Sequence, residues 1–148
     1  MALDPSFVGR SYPSSAPYTV SAAKIAEFAD AIGDPSAVYR DVSAARAAGH
    51  ADVIAPPTFV TIINLRAIHE IVSDPKLGLD WSRVVHAEQS FAFTRPVTAG
   101  DRLVWVVTIE SIKSRVGNDF LGVRGEFTTE DGEPVVVTKA MLVARGTA

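Results

Sequence analysis

Fifteen consecutive residues, Thr58–Val72, constrain what this chain can fold into more than any other stretch. Nine of them are apolar, and the more strongly polar residues, Asn64, Arg66, His69 and Glu70, come only from the middle onward. Two prolines, Pro56 and Pro57, come immediately before the stretch and impose an extended entry. A helix this apolar at its start cannot lie on a surface. The rest of the chain is therefore expected to enclose it.

The residues before this helix predict two shorter helices. The first begins after Ser21, a good N-cap, and ends at Gly33, where a helix commonly has a glycine. The second runs from Asp41 or Ser43 to the glycine at position 49. Both helices lie in the first third of the chain.

The residues after the central helix predict strands. Alternating or β-branched stretches cover residues 84–97, 103–112, 120–129 and 134–145, with turn sequences between them. Early helices and later antiparallel strands predict an α+β fold. We expect residues 1–148 to form a single hot-dog domain, in which a curved antiparallel sheet wraps around a long central helix.

The first of these strands has two predicted faces. Alternation places Gln89 on the side of Phe91 and Phe93, while His86 and Glu88 fall on the other side. A buried amide needs hydrogen-bond partners, so Gln89 is the most suggestive polar residue on the strands.

Composition excludes several classes of function. There is no cysteine, which removes disulfides, thiol nucleophiles and cysteine-based metal sites. The net charge is −3 and the basic residues are scattered, which argues against a nucleic-acid partner. No apolar run approaches about 18 residues, so we expect no membrane association and a cytoplasmic location. The three histidines lack metal-ligand spacing, and we predict neither a metal nor a cofactor.

Two motifs carry a family resemblance. The first, Gly-Asp-Pro-Ser-Ala-Val-Tyr-Arg-Asp at residues 33–41, is similar to the hydratase motif Gly-Asp-x-Asn-Pro-x-His-x-Asp. The second, residues 91–103, is similar to a family strand that leads into an Ala-Gly-Asp turn. The chain thus resembles the MaoC-like hot-dog dehydratases and hydratases, which act on acyl-thioesters. In particular it resembles the actinobacterial accessory subunits of (3R)-hydroxyacyl-ACP dehydratases, which have a MaoC N-terminal-type domain.

The departures from the motif affect the chemistry that the resemblance implies. Active members use an Asp/His dyad; the Asp position is Asp34 here, but the His position is Tyr39. The family's His-Gly pair before the central helix is replaced by Pro56 and Pro57. A proline cannot donate the backbone hydrogen bond that the glycine amide gives to the thioester carbonyl. The resemblance therefore implies a chain that lacks the full dyad.

The candidate site has one catalytic candidate, Asp34, and five candidate substrate contacts: Tyr39, Pro57, Thr58, Phe59 and Gln89. Each polar candidate also has a structural interpretation. Asp34 precedes a proline and is a common turn former. The hydroxyl of Tyr39 suits local packing, Thr58 suits an N-cap, and Gln89 either binds backbone or lines an acyl tunnel.

Three functions stay open on these residues. In the first, the chain is a subunit of a dehydratase or enoyl hydratase of fatty acid metabolism, weak or inactive alone and paired with a catalytic MaoC-like hot-dog subunit. In the second, it is an active homodimeric hydratase that uses Asp34 with His50 or Tyr39. In the third, it binds acyl-thioesters without turnover. All three imply acyl-CoA or acyl-ACP as ligand, and because an isolated hot-dog domain leaves a sheet edge exposed, we expect a homodimer or heterodimer.

Overall fold

Six antiparallel strands form one sheet, and the apolar helix packs against it. The computed structural model describes residues 2–147. Its helices are α1 (Ala22–Ala31), α2 (Val42–Ala47) and α3 (Val60–Val72); its strands are β1 (Ser11–Pro13), β2 (Tyr18–Thr19), β3 (Val84–Phe93), β4 (Arg102–Arg115), β5 (Asn118–Thr129) and β6 (Pro134–Arg145). The strand order is β1-β4-β5-β6-β3, and β2 also pairs with β4. This arrangement confirms the predicted α+β hot-dog fold.

Helix α3 is the buried centre, as its apolar sequence predicts. A 3-10 turn at Pro57–Phe59 leads directly into it. Ile63, Ile68 and Ile71 have no exposed surface. Each side chain of this size stabilises a fold by roughly 1.5–3 kcal/mol when it is fully buried. No helix among the described residues has the length and apolarity that crossing a membrane requires.

One polar residue of α3 is also buried. Asn64 is 2% exposed and lies between two strands. Its Nδ2 donates to Oε1 of Gln89 at 3.0 Å, and its Oδ1 accepts from the hydroxyl of Thr138 at 2.9 Å. The sheet makes room for this bond at Gly125, where a Cβ atom would overlap the Thr138 hydroxyl. Because every member has a partner, the network ties β3 and β6 to the central helix at little desolvation cost.

The predicted faces of β3 are wrong in its first half. A β-bulge between His86 and Glu88 shifts the register with β6. Directly opposed residues share a face, and His86 pairs with the buried Leu142, whereas Glu88 pairs with Met141. His86 therefore lies on the inner face of the sheet with Gln89. An extra residue moves every side chain that precedes it to the opposite face.

The two edges of the sheet differ. At one edge the three-residue β1 pairs with β4, and it ends in Pro13, which has no N–H group to offer another strand. At the other edge the ten-residue β3 pairs only with β6 among the described strands. The long edge strand leads directly into the candidate site.

Candidate active-site cleft

The first motif folds as a turn that presents Tyr39. Helix α1 ends at Ala31, and the chain turns at Gly33, whose φ of +71° favours glycine. Asp34 follows and accepts the N–H of Ser36 through Oδ1 at 3.0 Å. A short 3-10 turn at residues 37–39 then carries Tyr39. Asp34 thus has the turn-forming contact that its position before a proline predicts, and its catalytic role stays a prediction.

Tyr39 lies close enough to Asp34 for the two to interact electrostatically. Partial burial raises the pKa of the Tyr39 phenol, and the negative charge of Asp34 raises it further. Both causes disfavour the phenolate. At neutral pH Tyr39 is therefore a neutral hydrogen-bond donor, and it is unsuited to abstracting a proton.

Tyr39 lines a cleft of about 360 Å³ together with Pro57 and Phe93. The volume falls in the range of small-molecule sites. Ile54 and Ala55 add apolar surface to the same cleft. A cleft with this lining suits an alkyl or acyl chain and has one phenolic hydroxyl to orient its polar end.

The cleft opens at the long free edge of the sheet. Phe93 is the last residue of β3, is 37% exposed and lies 6.2 Å from Phe91 between ring centroids. One wall of the cleft is therefore the end of a strand whose outer side has no partner among residues 2–147. A chain that paired with β3 would lie beside this wall.

The segment before α3 confirms part of what its prolines imply. Pro57 lines the cleft and has no N–H group. Two residues later, the N–H of Phe59 donates to the carbonyl of Pro56 at 2.9 Å. The N-cap role considered for Thr58 is wrong, because α3 begins at Val60 after a 3-10 turn and no side chain caps it. Thr58 is exposed.

Three candidate contacts lie outside the cleft lining: Thr58, Phe59 and Gln89. Phe59 is fully buried and packs edge-on against Phe28 of α1, with ring centroids 5.6 Å apart. Gln89 accepts from Asn64 and donates to the backbone carbonyls of Ser90 and Lys139, each at 3.1 Å. The backbone-binding interpretation of Gln89 is thus confirmed, and substrate contact by Phe59 or Gln89 stays a prediction.

His50 lies in a neighbouring cavity of about 510 Å³, which Asp52 and Asp101 also line. Arg95 borders both this cavity and the cleft of Tyr39. Asp34 lines neither of them. The structure therefore brings Asp34 to Tyr39 and does not bring it into a shared cavity with His50.

Arg95 is the residue of this region that sequence reasoning missed. Its guanidinium donates to both carboxylate oxygens of Asp101 at 2.8 and 3.0 Å, and to Glu133 at 2.7 Å. These bonds raise the pKa of Arg95 far above its ordinary value, so it is always charged. Asp101 also accepts the N–H of Thr98 at 2.9 Å. The network fixes the chain just after β3, and the Ala-Gly-Asp turn of the second motif was its sequence signal.

The described residues contain no group of three or more His, Cys, Asp or Glu side chains placed to hold a metal ion. The cleft itself combines an apolar wall with the Tyr39 phenol, Thr94 and the Arg95 guanidinium.

Comparison with known proteins agrees with this geometry. Residues 6–138 match the family described as FAS1-like, dehydratase domain region. A UPF0336 protein of Streptomyces avermitilis is 62% identical over 145 residues, which cover 98% of this chain and 97% of the relative.

Two solved structures are similar along almost the whole chain. One is the C-terminally truncated HadBC (3R-hydroxyacyl-ACP dehydratase) complex from Mycobacterium tuberculosis, with 28% identity, a TM-score of 0.86, and coverage of 97% of this chain and 99% of that one. The other is a MaoC-like dehydratase, with 29% identity and a TM-score of 0.86, matched over 94% of this chain and 42% of that one.

Proposed function

The chain belongs to the FAS1-like dehydratase-domain family of MaoC-like hot-dog proteins, and on that premise we propose that it is a subunit of a (3R)-hydroxyacyl-thioester dehydratase. In this proposal it shapes the acyl channel and leaves the acid/base chemistry to a catalytic hot-dog partner. The same assembly would run the reverse reaction as an enoyl-thioester hydratase.

The observation that carries the proposal is the state of Tyr39. It occupies the motif position of the dyad histidine, it lines the cleft, and its pKa is raised by burial and by Asp34. Dehydration requires a group that takes the α-proton and a group that protonates the departing β-hydroxyl. Tyr39 is a neutral phenol that cannot act as the base, and Asp34, the one carboxylate near it, does not line the cleft and accepts the N–H of Ser36 in a turn.

The position of the cleft supports a partner. Its Phe93 wall is the end of the free strand β3, so a second hot-dog chain pairing there would contribute the facing wall. A similar solved structure is described as a dehydratase complex. We therefore propose that the missing dyad comes from a different MaoC-like chain.

The residues of this chain then have defined roles in the proposal. The apolar wall of Ile54, Pro57 and Phe93 packs along the acyl chain and excludes water. The Tyr39 hydroxyl donates a hydrogen bond to a substrate oxygen, and Arg95 holds the end of β3 in place. The partner's dyad moves the α-proton and releases the β-hydroxyl as water. Acyl-CoA and acyl-ACP both fit these roles, and we retain a cytoplasmic location as a prediction.

Co-purification from the native host tests the proposal. A tagged copy of the chain is expected to bring down a second hot-dog protein that contains the Asp-x-Asn-Pro-x-His motif, in a one-to-one ratio. Recovery of the tagged chain only with its own untagged copy would contradict the proposal. It would then favour the homodimeric hydratase, or a binding protein whose melting temperature rises with acyl-CoA without turnover.

A further inference from the structure

Strand β3 is only partly protected against pairing along its free edge, since a β-bulge follows His86 but most of the strand is apolar. It is ten residues long and contains neither lysine nor proline. Val85 is 44% exposed near its start and Phe93 is 37% exposed at its end. A long apolar edge of this kind promotes pairing with another chain. We therefore expect another polypeptide to pair with this strand.

One charge interrupts this apolar edge at its middle. Glu88 is the only carboxylate of β3, and the register with Met141 places it on the outer face, where it is exposed. Lys139 of β6, which pairs with Ser90 on the same face, lies 3.6 Å from Glu110. Among the described residues Glu88 takes part in no ion pair within 4.0 Å, so its charge is available to a neighbouring chain.

Symmetry determines what a second copy of this chain would place opposite Glu88. In an antiparallel two-fold pairing through the middle of β3, register centres at Glu88 or Gln89 place the two Glu88 residues directly opposite or on the adjacent diagonal. Such positions are about 4.5–8 Å apart. Like charges at these positions destabilise a sheet, whereas opposite charges stabilise it.

We propose that Glu88 selects the partner at this edge: it disfavours a second copy of this chain and favours a different polypeptide whose edge strand presents a lysine or arginine opposite it. This inference rests on the proposed function in taking β3 as the partner-binding edge. It adds the chemistry that distinguishes the true partner from the chain itself.

The test uses only this chain and its variants, so it is independent of any dehydratase assay. Sedimentation equilibrium gives the dimer dissociation constants of wild type, Glu88→Gln, Glu88→Lys and an equimolar mixture of wild type with Glu88→Lys. The matched control is Glu27→Gln, which removes the same charge from an exposed site on α1.

Self-association of Glu88→Gln is expected to be about two- to five-fold tighter than that of wild type. The mixture is expected to form mixed dimers more tightly than either parent forms its own, and about 1 M NaCl should reduce both differences. Equal dissociation constants for wild type and Glu88→Gln, including no measurable association of either, would overturn the inference. So would a mixture that behaves as the average of its parents, or a Glu27→Gln control that reproduces the effect. None of these outcomes bears on whether a dyad-bearing partner co-purifies.

Discussion

The two edges of the sheet are completed in different ways. Beside β4 lies the short strand β1 of the same chain. The Ser11 hydroxyl of β1 and the Thr108 hydroxyl of β4 form a hydrogen bond of 2.9 Å. Beside β6 lies the ten-residue strand β3, and no further described strand pairs with its outer side. Pro13 limits pairing at the first edge, whereas apolar side chains invite it at the second. The comparison shows which edge the chain pairs with its own strand and which edge it leaves open to pairing.

The candidate site follows this difference. The cleft of Tyr39, Pro57 and Phe93 opens at the unfinished edge. Structural ties also concentrate there: Asn64 anchors β3 through Gln89, and Arg95 anchors the segment that follows. An edge that is held firmly but left uncovered is preorganised for binding, because binding a partner then costs little conformational entropy.

The largest expected effect comes from placing a charge near each edge of the sheet. Phe93 and Val106 are 37% and 39% exposed, so Phe93→Glu and Val106→Glu perturb surfaces of similar exposure on β3 and β4. Phe93→Glu should weaken partner binding by about 2–4 kcal/mol, roughly 30- to 1,000-fold, because it places a charge in a desolvated apolar contact.

Calorimetric titration of each variant with the co-purified partner measures this difference. Val106→Glu should change the dissociation constant by less than about three-fold, within the usual range for rim positions. Equal losses from the two substitutions would contradict the proposed difference between the edges.

The next effect compares the hydrogen bonds that tie each edge strand to the body of the protein. Asn64→Ala removes the hydrogen-bond partner of the Thr138 hydroxyl and of the Gln89 side-chain oxygen Oε1, so it should lower the free energy of unfolding by about 1–3 kcal/mol. Ser11→Ala removes an exposed bond at the other edge and should cost less than about 0.5 kcal/mol. Urea denaturation of both variants checks the order, and a reversed order would show that β3 is not the more firmly anchored edge strand.

The smallest effect is a pH dependence that two tyrosines share. Burial raises the pKa of Tyr39 at the cleft and of Tyr12 on β1, helped by Asp34 and by a hydrogen bond to Asp74, respectively. A raised pKa means that the folded state holds the phenolic proton more tightly. The associated stability is fully present below the unfolded value of about 10 and is lost as pH rises through the folded value.

Phenylalanine at either position should therefore reduce the loss of stability above pH of about 10. Binding of the partner should raise the pKa of Tyr39 further, since it covers the cleft, and leave that of Tyr12 unchanged. Absorbance titration of tyrosinate in Tyr12→Phe and Tyr39→Phe, with and without partner, separates the two groups. A partner-dependent shift that persists in Tyr39→Phe would contradict the placement of the cleft at the interface.

Sequence patterns predicted the elements of the fold and missed the features that depend on pairing. Helix α3 and strands β5 and β6 follow from apolar periodicity, and the Asp34 turn follows from Asp before Pro. The bulge after His86 was not predictable, because it is defined against the facing strand. Arg95 was missed for the same reason: Asp101 and Glu133 become its neighbours only when two turns of the sheet meet.

The candidate site was predicted unevenly along the same lines. Tyr39 and Pro57 share a cleft, as their motif positions implied. From the sequence, Phe59 and Gln89 were equally suitable as substrate contacts. In the structure Phe59 is buried, and the side-chain amide of Gln89 donates to backbone carbonyls. Short sequence segments predict turns and helices. Whether a side chain lies in the core or in the cleft depends on residues that are distant in the sequence.

The most direct test of the central claim is the hydration of crotonyl- and longer enoyl-thioesters by the chain alone and in complex with its co-purified partner. The account predicts no turnover by the isolated chain, turnover by the complex, and retention of at least about half of that rate in an Asp34→Asn complex, since Asp34 there serves the turn and not the proton transfer. Turnover by the isolated chain that Asp34→Asn abolishes would contradict the account and make this protein a hydratase in its own right.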